Sequence, residues 1–234
     1  MLKREFQEIY SKIKLLMKNA LKSSAHPYRT FSLATIDEKT PSMRTVVLRD
    51  FSLEEHYFDC HSDLRSPKIK QLEKNNEFSA LFYSSEEKIQ LRFKGTVEIF
   101  HKNSITKQRW DNVTPSSKRC YMGPYNPSDI LEEYHPNIPD NVQFKDPTDQ
   151  DSLSGYNNFV IIRCHFYEID FLKLKYSGHQ RCKFIFDKEK IIYVLSDIPY
   201  LFKYTSMSFL ILFSAFTLFR CFHSLPAAYP IAHV

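Results

Sequence analysis

The chain has 234 residues, 43% of them hydrophobic, and 32 Lys and Arg against 27 Asp and Glu give a formal charge of +5. That length fits one large domain or two small ones and fills a sizeable core, which excludes disorder; the positive charge forms no block of like sign, which argues against a nucleic-acid arm and for small anions as partners. Cys60, Cys120, Cys164, Cys182 and Cys221 are odd in number and contain no C-x-x-C pair, so neither a disulfide framework nor a metal site is expected.

With no secretory pattern at the start, the expected compartment is reducing and cytoplasmic. Four glycines, Gly95, Gly123, Gly155 and Gly178, are too few to write G-x-G-x-x-G or G-x-x-x-x-G-K-[ST] anywhere. Side chains, rather than a glycine-rich loop, must therefore hold any nucleotide.

Residues 2–22 place Leu2, Phe6, Ile9, Ile13, Leu16 and Ala20 three and four apart with lysines between, which predicts an amphipathic helix. Residues 30–36 alternate apolar and small polar side chains as a half-buried strand, and the turn over 37–41 leads into a second strand. That strand carries Arg44-Thr45-Val46-Val47-Leu48-Arg49, a β-branched run bracketed by two arginines. Residues 57–61 form the next strand. Ser66 then stands at an N-cap with Pro67 at the first helical position, so the helix start over 66–74 offers free backbone N–H groups beside Arg65 and Lys68, a site suited to an anion.

Residues 78–83 read as a strand, and 89–100 alternate strictly around Gly95, which predicts a long strand with a bulge or bend there. Gln90, Arg92 and Lys94 share one face of it. Residues 104–120 read as a helix with Trp110 on its inner side, followed by a connector of low helix content holding Pro124, Pro127, Pro136, Pro139 and Pro147. Strands resume at 159–167, 183–186 and 191–195. About eight strands, two or three helices and mostly hairpin connections predict a mainly β protein with flanking helices, built as a small closed barrel.

The tail differs in kind. Residues 204–219 form a run of 16 without a charge between Lys203 and Arg220, short of the roughly 20 that a membrane span takes. The expected division is a domain over 1–200 and a hydrophobic tail over 201–234.

Four blocks in order, F-S-L-A-T-I from Phe31, P-S-M-R-T-V-V-L-R-D-F from Pro41, H-S-D-L-R-S-P-K-I-K-Q-L from His61 and I-Q-L-R-F-K-G-T-V-E from Ile89, resemble the FMN-binding split β-barrel of the pyridoxamine 5'-phosphate oxidase-like family. The resemblance covers about 25–125 and, less fully, 159–199. It implies FMN as cofactor. The family's R-x-V-x-L-[RK] strand, which contacts FMN phosphate and ring, falls on Arg44, Thr45, Val46, Val47, Leu48 and Arg49. The turn that lends backbone and hydroxyl to the flavin falls on His61 and Ser62, and the phosphate-holding helix start on Ser66 and Lys68. Pro67 stands where the oxidases carry an arginine, for which Arg65 is expected to compensate. The glutamine that bonds the ring is Gln90.

The resemblance also implies a homodimer with the flavin between two subunits and a small-molecule substrate oxidised or reduced at the flavin. Because the flavin carries the redox chemistry, no catalytic side chain is singled out. The oxidases close on a tryptophan and an arginine after an R-L-H segment; here the matching end reads Gly178-His179-Gln180-Arg181, and Trp110, the sole tryptophan, lies elsewhere. Arg119, His179 and Arg181, with Ser117, Lys118 and Tyr121, are the candidates for the substrate side. Two other readings stay open: an FMN-binding module without catalysis, acting as carrier, sensor or partner protein, and a membrane-tethered accessory protein resting on 204–219.

Overall fold

In a computed structural model of the chain, residues 2–187 and 190–195 are described, with side chains from 4 to 187. The hydrophobic tail over 201–234 and its uncharged run lie outside the described residues. Among those described, no helix is long and apolar enough to cross a membrane.

Among the described residues, eight antiparallel strands make the frame: β1 (Thr30–Asp37), β2 (Thr40–Ser52), β3 (Tyr57–Asp63), β4 (Glu77–Ser84), β5 (Ile89–His101), β6 (Phe159–Lys173), β7 (Gln180–Asp187) and β8 (Lys190–Leu195). They lie in the order β3-β2-β1-β4-β5-β6-β7-β8, and β3 also pairs with β6. That pairing closes β3, β2, β1, β4, β5 and β6 into a six-stranded barrel and leaves β7 and β8 as an extension. Strand β6 serves both: residues 159–165 pair with β3, and residues 168–173 pair with β7.

The changeover falls at a break in register, where Lys94 faces Glu168 but Gly95 faces Phe166. Tyr167 is the extra residue, a bulge that turns β6 from one partner to the other. Phe31, Phe58, Phe82, Phe93 and Phe166 fill the barrel, mostly edge to face, with ring centroids 4.5 Å apart for the stacked pair Phe31 and Phe82. Helix α1 (Leu2–Lys22) covers the barrel with Phe6, Ile9, Ile13, Leu16, Met17 and Ala20 buried, as its periodicity predicts. Each large side chain in that stripe contributes ~1.5–3 kcal/mol of burial. Helix α2 (Pro67–Lys74) turns Ile69 and Leu72 inward.

Two expectations need correction. The helix predicted over 104–120 is broken: α3 (Ser104–Asp111) ends at Asn112, and a short α4 (Pro115–Lys118) starts afresh behind Thr114, whose side chain accepts from Ser117 N. Pro115 has no N–H to continue the first helix and fits the first position of a new one. Trp110 does lie inward, packed on Phe159. The proline-rich connector ends in a helix that periodicity did not reveal, α5 (Asp149–Tyr156), whose signal is the reciprocal cap between Thr148 and Asp151.

Candidate functional site

Two groups of cations flank the β2 run. In the first, Arg44 points its guanidinium at neutral oxygens: NH1 donates to Thr35 Oγ1 at 2.6 Å, and NH2 to Ser42 Oγ at 2.7 Å and Gln71 Oε1 at 2.9 Å. Lys68 donates through Nζ to Ser66 Oγ at 2.5 Å and Ser62 Oγ at 3.2 Å. Burial lowers the Arg44 pKa, and burial with the nearby Arg44 charge lowers that of Lys68. Neither cation forms an ion pair among the described residues. Two like charges drawn from water beside hydroxyls are costly alone and are relieved by a bound dianion. Ser66 holds the N-cap position of α2 but makes no side-chain cap bond, because its hydroxyl accepts from Lys68 instead.

In the second group, a cavity of about 300 Å³ is lined by Arg29, Arg49, His61, Arg109, Thr114 and Ser117, among others. Arg49 Nε and His61 Nε2 are buried without a hydrogen-bond partner among the described residues. An unmet buried donor or acceptor costs ~1–3 kcal/mol, so two in one cavity call for a ligand. Burial, then the charges of Arg49, Arg109 and Arg29, push the His61 pKa down to about 3, and the ring is neutral near pH 7. Arg29 reaches the cavity from a helical turn over Pro27–Arg29 and donates through NH1 to Leu21 O at 3.1 Å, at the end of α1. Arg109 comes from α3 and is tied through NH2 to Asp50 Oδ2 at 2.7 Å.

The remaining members of the β2 run serve different ends. Leu48 is buried in the core, Val46 packs against it, Val47 is partly buried and Thr45 is exposed. Arg65 is committed to Asp63, with Nε 3.0 Å from Oδ1 and NH2 2.7 Å from Oδ2, and donates through NH1 to Gly123 O at 2.8 Å. Its donors anchor the start of the connector. Arg119 is likewise engaged with the Val142 and Gln143 carbonyls, each at 3.3 Å. His179 is exposed and accepts from Lys175 N through Nδ1.

Gln90 shares the outer face of β5 with Arg92 and Lys94, as expected, and lines a separate groove of about 600 Å³ with Ser32, Ala34, Asp170 and Arg181. Asp170 is buried there between Arg92 and Arg181; burial raises its pKa, but the two arginines outweigh this and hold it below the usual carboxylate range. One chain therefore brings Arg44, Ser62, Ser66 and Lys68 together, and Arg49 with His61, but leaves Gln90 and Arg181 on another face.

Arg29 and Arg109, and the pair Thr35 and Gln71 around Arg44, escape a reading of the sequence alone. A serine or proline at a helix start signals its place locally, whereas a lone arginine in a connecting turn or near the end of a short helix does not say which cavity it lines.

Residues 11–101 match the family model described as pyridoxamine 5'-phosphate oxidase, FMN-binding domain. Among solved structures, the fold resembles a pyridoxamine 5'-phosphate oxidase-related, FMN-binding protein from Nostoc punctiforme, with TM-score 0.61 and 18% identity over 80% of this chain and 96% of that one. It also resembles PhzG from Burkholderia lata, solved with tetrahydrophenazine-1-carboxylic acid, at TM-score 0.59 and 15% identity over 80% of this chain and 90% of that one. No curated protein sequence matches the chain. The structural similarities establish the split-barrel fold, and the match of residues 11–101 to an FMN-binding family model supports FMN as its cofactor.

Proposed function

We propose, for a chain that carries an FMN-binding split barrel of the pyridoxamine 5'-phosphate oxidase-like type, that it is an FMN-dependent oxidoreductase acting on a small anionic molecule. The carrying observation is the pair of cation groups on β2: Arg44 with Lys68 at one end, and Arg49 with Arg29 at the other. None of these four forms an ion pair among the described residues. Arg44 and Arg49 lie five residues apart, roughly 16 Å along an extended strand. One group fits the FMN phosphate through Arg44, Lys68, Ser62 and Ser66. The other fits an anionic group of the substrate through Arg29, Arg49, Arg109 and neutral His61.

Bound FMN supplies the redox chemistry of its ring system. The chain's own residues bind, orient and screen: guanidinium forks grip oxyanions with direction as well as charge, and a neutral imidazole adds a hydrogen bond without a further positive charge. Gln90 lines a groove separate from the cavity of Arg49 and His61, and this supports a twofold homodimer in which its groove meets the flavin of the second copy.

An absorbance spectrum of protein purified without added cofactor, followed by turnover assays with phosphate- and carboxylate-bearing reductants, tests the reading. A yellow protein that turns over supports it. A colourless protein that takes up no FMN sinks it.

A second reading, FMN binding without catalysis, draws on one feature: Arg181 is held by Asp170 and His179 is exposed, so the segment that meets substrate in the oxidases is engaged otherwise here. A yellow protein without turnover on any such substrate would favour it.

A further inference from the structure

If the anion cavity acts as proposed above, its grip depends on what aims Arg109. In a regular strand consecutive side chains leave opposite faces, but the register of β2 on β3 slips between Leu48 and Asp50. The slip lets neighbours act together: Arg49 lines the cavity while Asp50 grips Arg109, which lines the same cavity. Asp50 is itself fixed, its Oδ1 accepting from Phe51 N at 2.8 Å. Arg109 NH1 also reaches Arg49 O at 3.5 Å, so the guanidinium is tied to the bulge at two points.

A second carboxylate, Asp59, approaches Arg109 NH2 at 3.5 Å. It is wholly buried and already committed to Arg163, whose Nε lies 2.9 Å from Oδ1 and whose guanidinium carbon stands 3.9 Å from the Tyr57 ring centroid. Asp50 is partly exposed, and among the described residues its one ion pair is with Arg109, although its charge is also felt by Arg163. It is the carboxylate free to set where Arg109 points.

We propose that Asp50 is a positioning residue, which holds the Arg109 fork toward the cavity so that an entering anion meets it ready-made. A free arginine side chain samples many rotamers, and a ligand that must first select one binds more weakly. The carboxylate does this at an electrostatic disadvantage, because it also places a negative charge beside an anion site.

These two effects have opposite signs, and this decides the test. Inorganic phosphate is titrated calorimetrically into the FMN-loaded full chain, in the wild type and in Arg49→Gln, Arg109→Gln, Asp50→Asn and Asp50→Glu. A positioning role predicts that Asp50→Asn weakens phosphate binding roughly tenfold, the scale of one charge-assisted hydrogen bond, although it removes a negative charge. Asp50→Glu is expected to recover most of the loss, and the double variant Asp50→Asn with Arg109→Gln to bind no worse than Arg109→Gln alone. Phosphate bound by Asp50→Asn as tightly as by the wild type, or more tightly, overturns the proposal and leaves the cavity reading standing. Absence of phosphate binding in the wild type, or indifference to Arg49→Gln, overturns the cavity reading and the proposal with it. Melting temperatures and FMN content, equal across the variants, tie the change to the cavity.

Discussion

Gly95 lies against His165 so closely that a Cβ built on it would stand 1.9 Å from the His165 carbonyl oxygen and 2.7 Å from the Phe166 Cα. Both obstacles are backbone, and they belong to the stretch where β6 leaves β3 for β7. Gly95→Ala must therefore push strand from strand at the bulge that splits the barrel. The expected loss is at least the ~1–3 kcal/mol of an overpacked core, read as a lower midpoint in chemical denaturation. A midpoint equal to wild type would mean that the two strands do not approach as described.

That bulge also shows what the sequence could announce. Strict alternation from Ile89 to Phe100 with a glycine inside it marks a strand and its irregular point, because period and glycine are both local. The α1 stripe is legible for the same reason, as are Ser66 and Pro67 at the start of α2. The site is legible only in part. Arg44, Ser66 and Lys68 sit in blocks whose order resembles a known barrel, but Arg109 acquires meaning only when α3 folds back on the β2 bulge. Arg65 shows the reverse: adjacency to Ser66 suggests phosphate, while Asp63 two residues earlier captures its fork. Helix α5 stayed hidden because its eight residues carry no apolar stripe, only a cap.

For the phosphate group of FMN the first cation cluster gives a direct expectation. Arg44 holds Thr35, Ser42 and Gln71 in one array, so Arg44→Ala removes a charge-assisted donor and loosens three neutral partners together. FMN affinity should fall by ~1.5–3 kcal/mol, with riboflavin, which lacks the phosphate, affected far less. An unchanged FMN dissociation constant would remove Arg44 from the site.

His61 makes stability depend on pH in a definite direction. Its folded pKa of about 3 lies below the ordinary 6.5, so between those values the unfolded chain binds a proton that the folded chain refuses. Stability contributed by neutral His61 is complete above the unfolded value and is lost as pH falls toward the folded one; burial of His56 acts in the same direction. His61→Gln should thus flatten the fall in melting temperature between pH 7 and pH 5, and phosphate, by favouring a protonated ring, should flatten it in the wild type too. A His61→Gln slope as steep as wild type would place the pH dependence elsewhere.

The sharpest expectation concerns assembly, because Arg44 and Gln90 occupy different faces of one chain. If the flavin is held between copies, Arg44 from one and Gln90 from the other serve the same ring. Arg44→Ala should then bind FMN weakly, and Gln90→Leu should shift the flavin spectrum or potential. In a mixed dimer of the two variants, one site inherits both defects and the other inherits neither. Unfolding and co-refolding the two proteins should therefore restore wild-type affinity and spectrum at about half the sites of each heterodimer. A site completed within one chain predicts the opposite, since every site then carries one defect and mixing repairs nothing. Absence of restored sites, or sedimentation of the FMN-loaded wild type as a monomer, would overturn the intersubunit arrangement.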